Sequence, residues 1–319
     1  MTRTVRKDLL LGILALLAAL AYAVHQLALL PPYLDDVLVR AAPVCLVIFG
    51  LVLLLRGRLP VSELIGLVLG GALVVAIALA AFSIRREQTR NDQLVTLDQP
   101  VSESVALLRV QLETLATDVE VVRVSGDARR VGGQFSGSLE SDVLQNYVEN
   151  ADGSASFILS EVQLNPFPLL ENIGRATLLV EVPAQTPLDL QVITVDGQVR
   201  LNLNTLHVER LNIQVDSGDL LLTMPDYDPQ FSRPEETLGT WAVSNGTAVI
   251  RLPRDVAARF DLSQSVGGDP TYDQSRYNLL FGRDVLEARN LDNASNVIRY
   301  ELVVTRDRLT IEEQADATP

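Results

Sequence analysis

The sequence predicts two unlike parts: a membrane anchor of three transmembrane α-helices, then an all-β, solenoid-like domain. Three observations carry this expectation. Three apolar runs fill most of residues 1–84. Apolar and polar residues alternate through much of the remaining chain. Glycine-bearing turns recur in that second part, each succeeded by the same apolar pattern.

The anchor is read from residues 9–30, 37–55 and 64–84, each close to the length that crosses a hydrocarbon core as a helix. Three such runs in a row, separated only by LPPYLDD and RGRLPVSE, argue against buried helices of a soluble domain. Arg40 lies near the start of the second run, where a long basic side chain can reach the interface. Pro43 sits in the first turns of the same run, where a missing backbone donor costs little. Gly66 and Gly70 form a GxxxG, which permits close helix packing. A basic start at Arg3, Arg6 and Lys7, with Ala21-Tyr22-Ala23 downstream, also fits a leader cleaved after Ala23. The apolar run continues to Leu30, longer than the core of such a leader, so a span is the preferred reading.

Flanking charge gives an orientation. Arg3, Arg6 and Lys7 precede the first run, and Arg56 and Arg58 flank the second connector; Arg85, Arg86 and Arg90 come after the third run. Basic residues favour the cytoplasmic side. The expectation is a multi-pass protein of a bacterial cell membrane, with its N-terminus cytoplasmic and its β-domain extracytoplasmic.

Charge divides at the same boundary. The chain of 319 residues carries −14, yet residues 1–84 hold six basic and four acidic residues, leaving −16 for the rest. An acidic domain repels phosphate, so nucleic acid is excluded as a partner. Cys45 is the single cysteine, which excludes an internal disulfide and a thiolate metal cluster.

Residues 85–100 read as a juxtamembrane linker, 101–313 as the β-domain and 314–319 as a disordered tail. Within the domain, LDLQV (188–192), QVRLNL (198–203), LNIQV (211–215) and DLLLTM (219–224) show the period of two expected of strands with one buried face. The predicted core set begins with Leu188, Leu190 and Val192, continues through Val199, Leu201, Leu203, Leu211, Ile213 and Val215, and ends with Leu220, Leu222 and Met224. Asn202, Asn212 and Gln214 are expected to face out. Gly197, Gly218 and Gly246 occupy equivalent places, the first two 21 residues apart, each with apolar residues at offsets of two, four and six. This is a weak internal repeat at solenoid-like spacing. Aromatic residues are only 5% of the chain, so Leu, Val and Ile must fill the core.

The stretch VEVPAQTPLDL (180–190), the two strand–turn–Gly–strand units after it, WAVSNGTAVIRLP and the terminal RLTIEE together resemble the LiaF-like, toast-rack class of bacterial envelope proteins. The resemblance implies a toast-rack β-domain and a part in cell-envelope stress signalling, through contact with an envelope protein or a membrane partner such as a sensor kinase. Three spans depart from the four common in the LiaF type.

Groups for chemistry are sparse. Of two histidines, His25 lies in the first apolar run and His207 in a connector between strands. No GxSxG, phosphate loop or HExxH is present. Asp226 with Asp228, and Asp269 with Asp273, are acidic pairs without calcium-loop spacing. Asp196, Asp216 and Asp219 belong to turns, where Asp commonly caps backbone. Trp241, with Tyr227 and Phe231, fits either an end of the core or a small partner patch, with the core preferred. No catalytic, cofactor-binding or metal residue is assigned. The expected function is non-enzymatic: a membrane-anchored β-domain that senses, scaffolds or modulates envelope signalling through protein contacts, held by the lipid bilayer. The alternatives are a passive cell-surface adhesion or structural module and, last, a carboxylate-dependent hydrolase on a β-helix.

Overall fold

The computed structural model describes residues 86–165, 172–226, 236–265, 269–280, 284–294, 296–306 and 308–314. The strands belong to one compact unit, Gln88–Pro168 with Gly174–Pro319. Of a second unit, Met1–Glu87 with Leu169–Ile173, only Arg86, Glu87, Asn172 and Ile173 are among the described residues.

Among the described residues, eighteen strands succeed one another, and all join into one connected sheet. The first six are β1 (Gln93–Pro100), β2 (Leu107–Arg123), β3 (Arg130–Gly137), β4 (Ser141–Glu149), β5 (Ser154–Gln163) and β6 (Ala176–Val182). Next come β7 (Leu188–Asp196), β8 (Val199–Asn202), β9 (Val208–Ser217), β10 (Leu220–Thr223), β11 (Thr240–Val243) and β12 (Ala248–Leu252). The last are β13 (Val256–Asp261), β14 (Thr271–Tyr272), β15 (Tyr277–Leu280), β16 (Val285–Ala288), β17 (Asn296–Val304) and β18 (Leu309–Glu313).

The sheet bends back on itself into a nearly closed, barrel-like wall. One face runs β4–β5–β2–β7–β9–β11–β17–β13–β16–β15. The other runs β1–β3–β6–β2–β8–β10–β12–β18–β14. The two faces share β2: Leu108–Ala116 pairs with β7, and Thr117–Arg123 pairs with β6. One contiguous apolar core lies between them.

The alternation of the sequence explains this core. Every member of the predicted set from Leu188 to Met224 is buried, while Asn202 and Gln214 are exposed. A strand presents alternate side chains to opposite faces, so a period of two places one apolar row inside. Parallel ladders then stack these rows in register: Leu190 beside Val110 and Leu211, and Leu201 beside Val121 and Leu222.

The corners are set by close stacking. The chain crosses from one face to the other at Gly197, Gly218 and Gly246, one above the next. A Cβ on Gly218 would stand 2.0 Å from the Gly197 carbonyl oxygen, and one on Gly246 1.9 Å from that of Gly218. Gly218 and Gly246 also have positive φ, 132° and 149°, which favours glycine.

Two parts of the expected architecture are corrected. The wall is a near-barrel, not a solenoid. Successive coils of a solenoid are neighbours in sequence; here β2 inserts between β6 and β8, and β17 and β18 insert between β11 and β13 and between β12 and β14. Antiparallel pairs β1–β3, β3–β6, β4–β5, β13–β16 and β15–β16 finish the ends. The step of 21 residues describes only the middle, where two short strands and a glycine corner make one layer. The strands also begin earlier than expected, since β1 occupies Gln93–Pro100 within the stretch read as a linker.

The second correction concerns the anchor. Among the described residues, no helix is long and apolar enough to cross a membrane. The spans expected at 9–30, 37–55 and 64–84 lie outside the described residues. The three-helix hold on a lipid bilayer and the multi-pass localisation, with its cytoplasmic N-terminus and extracytoplasmic β-domain, are therefore set aside.

Candidate functional site

The residues singled out in the sequence are dispersed, and most of those described serve the fold. Trp241 is buried and stacks on Tyr300 with ring centroids 4.1 Å apart, near Phe260 at 5.8 Å. Its indole N–H donates to the Leu211 carbonyl at 3.2 Å. It is thus a core residue; Tyr227 and Phe231 lie outside the described residues. Asp226 accepts from Asn296 Nδ2 at 3.1 Å, and Asp228 lies outside the described residues. Asp273 accepts from the Ser275 backbone N–H at 2.8 Å, and its bonds to Ser275 hold its carboxyl below the ordinary value. Asp269 is exposed. His207 is half-buried, and its carbonyl accepts from the Leu188 N–H. Among the described residues, no group of three His, Cys, Asp or Glu side chains converges as a metal site would require.

Turn acids do more than cap their own turns. The Asp219 carboxylate accepts from Thr247 N at 2.8 Å, on the next layer. Asp118 makes the equivalent bond to Gln198 N at 2.9 Å. The Arg175 guanidinium bridges Asp118 and Asp196, at 3.1 and 3.0 Å. These bonds tie successive corners together along the column.

Glu161 anchors the point where β2 changes face. Its Oε2 accepts from Leu115 N at 2.6 Å, Ala116 N at 3.3 Å and Thr117 Oγ1 at 2.7 Å, and its Oε1 accepts from Ser141 Oγ at 2.6 Å. The residue is only 8% exposed. A buried carboxylate is tolerated because four donors replace its water. The Ser141 bond carries the fixation from this corner to the first residue of β4.

A groove of ≈ 350 Å³ runs beside the corner on the second face, with Asp118, Glu120, Gln134, Gln198 and Arg200 in its lining. Asp118 is already engaged by Gln198 and Arg175, and Arg200 donates to Gln198 Oε1 at 2.8 Å. Asp118, Gln198 and Arg200 are thus committed to ties within the corner.

The most available surface is an edge. β4 pairs with β5 alone among the described strands. The bonds Leu164 N–H to Glu140 and Asn150 N–H to Ser154 place even-numbered residues of β4 in the hydrogen-bonded pairs with β5. In an antiparallel pair the intervening residues direct their N–H and C=O to the opposite edge. Val143, Gln145, Tyr147 and Glu149 therefore present backbone groups outward, although the Asp142 carboxylate covers the Val143 N–H at 2.8 Å. The side chains of Leu144 (61% exposed) and Val148 (46%) lie on the outer face of the strand, flanked by Leu139 (59%) and Leu164 (60%). Tyr147 donates to Glu149 Oε1 at 2.8 Å; burial and that carboxylate push its hydroxyl up to about 12.

The sequence did not reveal this edge. SDVLQNYVE pairs its apolar residues as Val143-Leu144 and Tyr147-Val148 instead of alternating them, because neither face of β4 is fully covered. Asp118 did carry a signal. Val119 and Val121 stand at offsets of two and four from Thr117, as after each glycine corner, but Thr stands where the others have Gly.

No family model matches the chain, and no curated protein matches it. The expected LiaF-like, toast-rack assignment is corrected by the nearly closed β-wall and by the lack, among the described residues, of a helix able to cross a membrane; the envelope-stress role and sensor-kinase partner that rested on it fall with it. A solved structure of a candidate cell adhesion protein from Clostridium sporogenes ATCC 15579 is similar in fold: 12% identity, TM-score 0.54, covering 70% of this chain and 100% of that one. A candidate adhesin from Bacteroides fragilis NCTC 9343 is 11% identical over 71% of this chain and 99% of its own, with a TM-score of 0.25, too low to carry an argument. At such identity the first likeness shows fold alone.

Proposed function

We propose that this protein is a passive adhesion or structural module, acting by surface contact and not by catalysis, with the β4 edge as its contact surface. The observation that carries the reading is a nine-residue strand edge that no described strand pairs, beside four exposed large aliphatic side chains. Edge strands of this length offer backbone pairing to any extended segment, and exposed apolar patches mark contact sites. The similar fold of a protein described in connection with cell adhesion supports the same direction. The engagement of Glu161, Arg175, Asp118 and Asp196 in corner bonds supports it further, since these are structural ties.

Beads coated with the full chain test the reading. Beads bearing the wild type are expected to cluster or to capture cells, and beads bearing Leu144→Lys are expected to lose most of that capture, because an edge charge opposes both pairing and apolar contact. Equal capture by the two coatings would refute the role of β4.

A further inference from the structure

We propose that the partner of the β4 edge is the same edge of a second copy of this chain, joined antiparallel about a two-fold axis through Gln145. This rests on the reading of β4 as the contact surface and names its occupant.

The register is dictated by the backbone. The outward-facing groups belong to the odd-numbered residues, so a two-fold at Gln145 makes Gln145 and its counterpart a hydrogen-bonded pair. Val143 then bonds the counterpart of Tyr147, with Asp142 releasing the Val143 N–H. A one-residue slip would set the even-numbered residues at the junction, and their backbone groups already serve β5.

The side chains fit the same register. Asp142 falls opposite Val148 of the second copy and Glu149 opposite Ser141, so no carboxylate directly faces another. Like charges directly opposite would oppose pairing. On the outer face, Leu144 and Val148 of both copies become diagonal neighbours, and their exposed apolar surface closes into one cluster. An isologous contact of this kind is self-limiting, because each edge is consumed by its twin. The net charge of −14 per copy opposes association at low salt, so the dimer strengthens as salt screens it.

The test uses the full chain with Cys45→Ser, which leaves no native thiol. Gln145→Cys is expected to form a disulfide-linked dimer on mild oxidation, since Cα atoms of a hydrogen-bonded antiparallel pair stand about 5.5 Å apart, within disulfide range. Asn278→Cys, on the edge strand β15, is expected to stay unlinked. By light scattering the wild type is expected at the mass of two copies, and Gln145→Pro and Leu144→Lys at the mass of one. Proline at 145 removes only an outward N–H, so pairing with β5 survives and the circular dichroism of the variant should match the wild type. A wild type that remains a single copy at every concentration and salt would overturn self-pairing. If Leu144→Lys still abolished bead capture in that case, β4 would stand as a contact surface with a different partner. A dimer that persists in both edge variants, or equal cross-linking from Gln145→Cys and Asn278→Cys, would also overturn the proposal.

Discussion

The two ends of the sheet are finished differently. At one end the edges are β4 and β1, nine and eight residues long. At the other they are β15 and β14, four and two residues long. Among the described residues, every exposed large aliphatic side chain falls between Leu94 and Val195, and so in the half that contains the long edges. Short edge strands are a common way to prevent sheets from pairing edge to edge. Among the described residues, the edges at the β14–β15 end are short, and those at the β4 end are long. Under the proposed reading, contact is made through the long edges and not through the short ones.

The halves also differ inside. The half toward β15 is centred on Trp241, Phe260 and Tyr300, a buried aromatic group. The half toward β4 is held at its corner by Glu161 and its four donors. One half is held by the packing of large apolar rings, the other at its corner by the hydrogen bonds of one buried carboxylate. Substitutions in the two halves should therefore weaken the protein in different ways.

Trp241→Ala should have the largest effect. Removing a buried indole and its stacking on Tyr300 should cost about 4 kcal/mol. Chemical denaturation measures this, and the loss should be nearly independent of pH between neutrality and mild acid. Glu161→Ala should cost roughly 2–3 kcal/mol, because it leaves the buried Thr117 hydroxyl and the half-buried Leu115 N–H without their acceptor. It should also loosen the start of β4 through loss of the Ser141 bond, and so weaken edge contact, which Trp241→Ala should leave intact in the folded fraction. Equal effects of the two variants on edge contact would remove the distinction between the halves.

Acid should not distinguish the ends. Asp152, at the β4–β5 hairpin, has its carboxyl lowered by the side-chain and backbone bonds from Ser154. Toward the other end, Asp261 is lowered by the backbone bond from Ser263, and Asp273 by its side-chain and backbone bonds from Ser275. A carboxyl held below its unfolded value contributes stability above that value, and the contribution is lost as pH falls through the folded one. All three turns should therefore hold at pH 5 and above and loosen together only below the ordinary value of 3.8. Amide exchange at Ser154, Ser263 and Ser275 across that range measures it. Early loosening at one end alone would contradict the shared origin.

The sequence was most informative where one face is buried and the other is wet. From Leu188 to Met224 that condition holds, and period two located the strands, the core and the glycine corners. It was least informative where burial is incomplete. β4 lacks alternation because both its faces are partly open, and β1 resembles a linker because Leu94 faces out and Pro100 closes the strand. The layer order was also hidden. Nothing local in TLATDVEVV shows that this segment will lie between β6 and β8, since Thr117 replaces the glycine that marks the other corners. Glu161 resembles any strand glutamate until the crossing of β2 brings three donors onto it.

The most direct test of the β4 edge is residue-resolved amide exchange as a function of protein concentration. In dilute solution the Gln145 and Tyr147 amides should exchange far faster than those of Leu144 and Asn146, which bond to β5. As concentration rises, Gln145 and Tyr147 should become protected together while Leu144 and Asn146 stay unchanged. Gln145 and Tyr147 amides that exchange at one rate at every concentration would contradict the account.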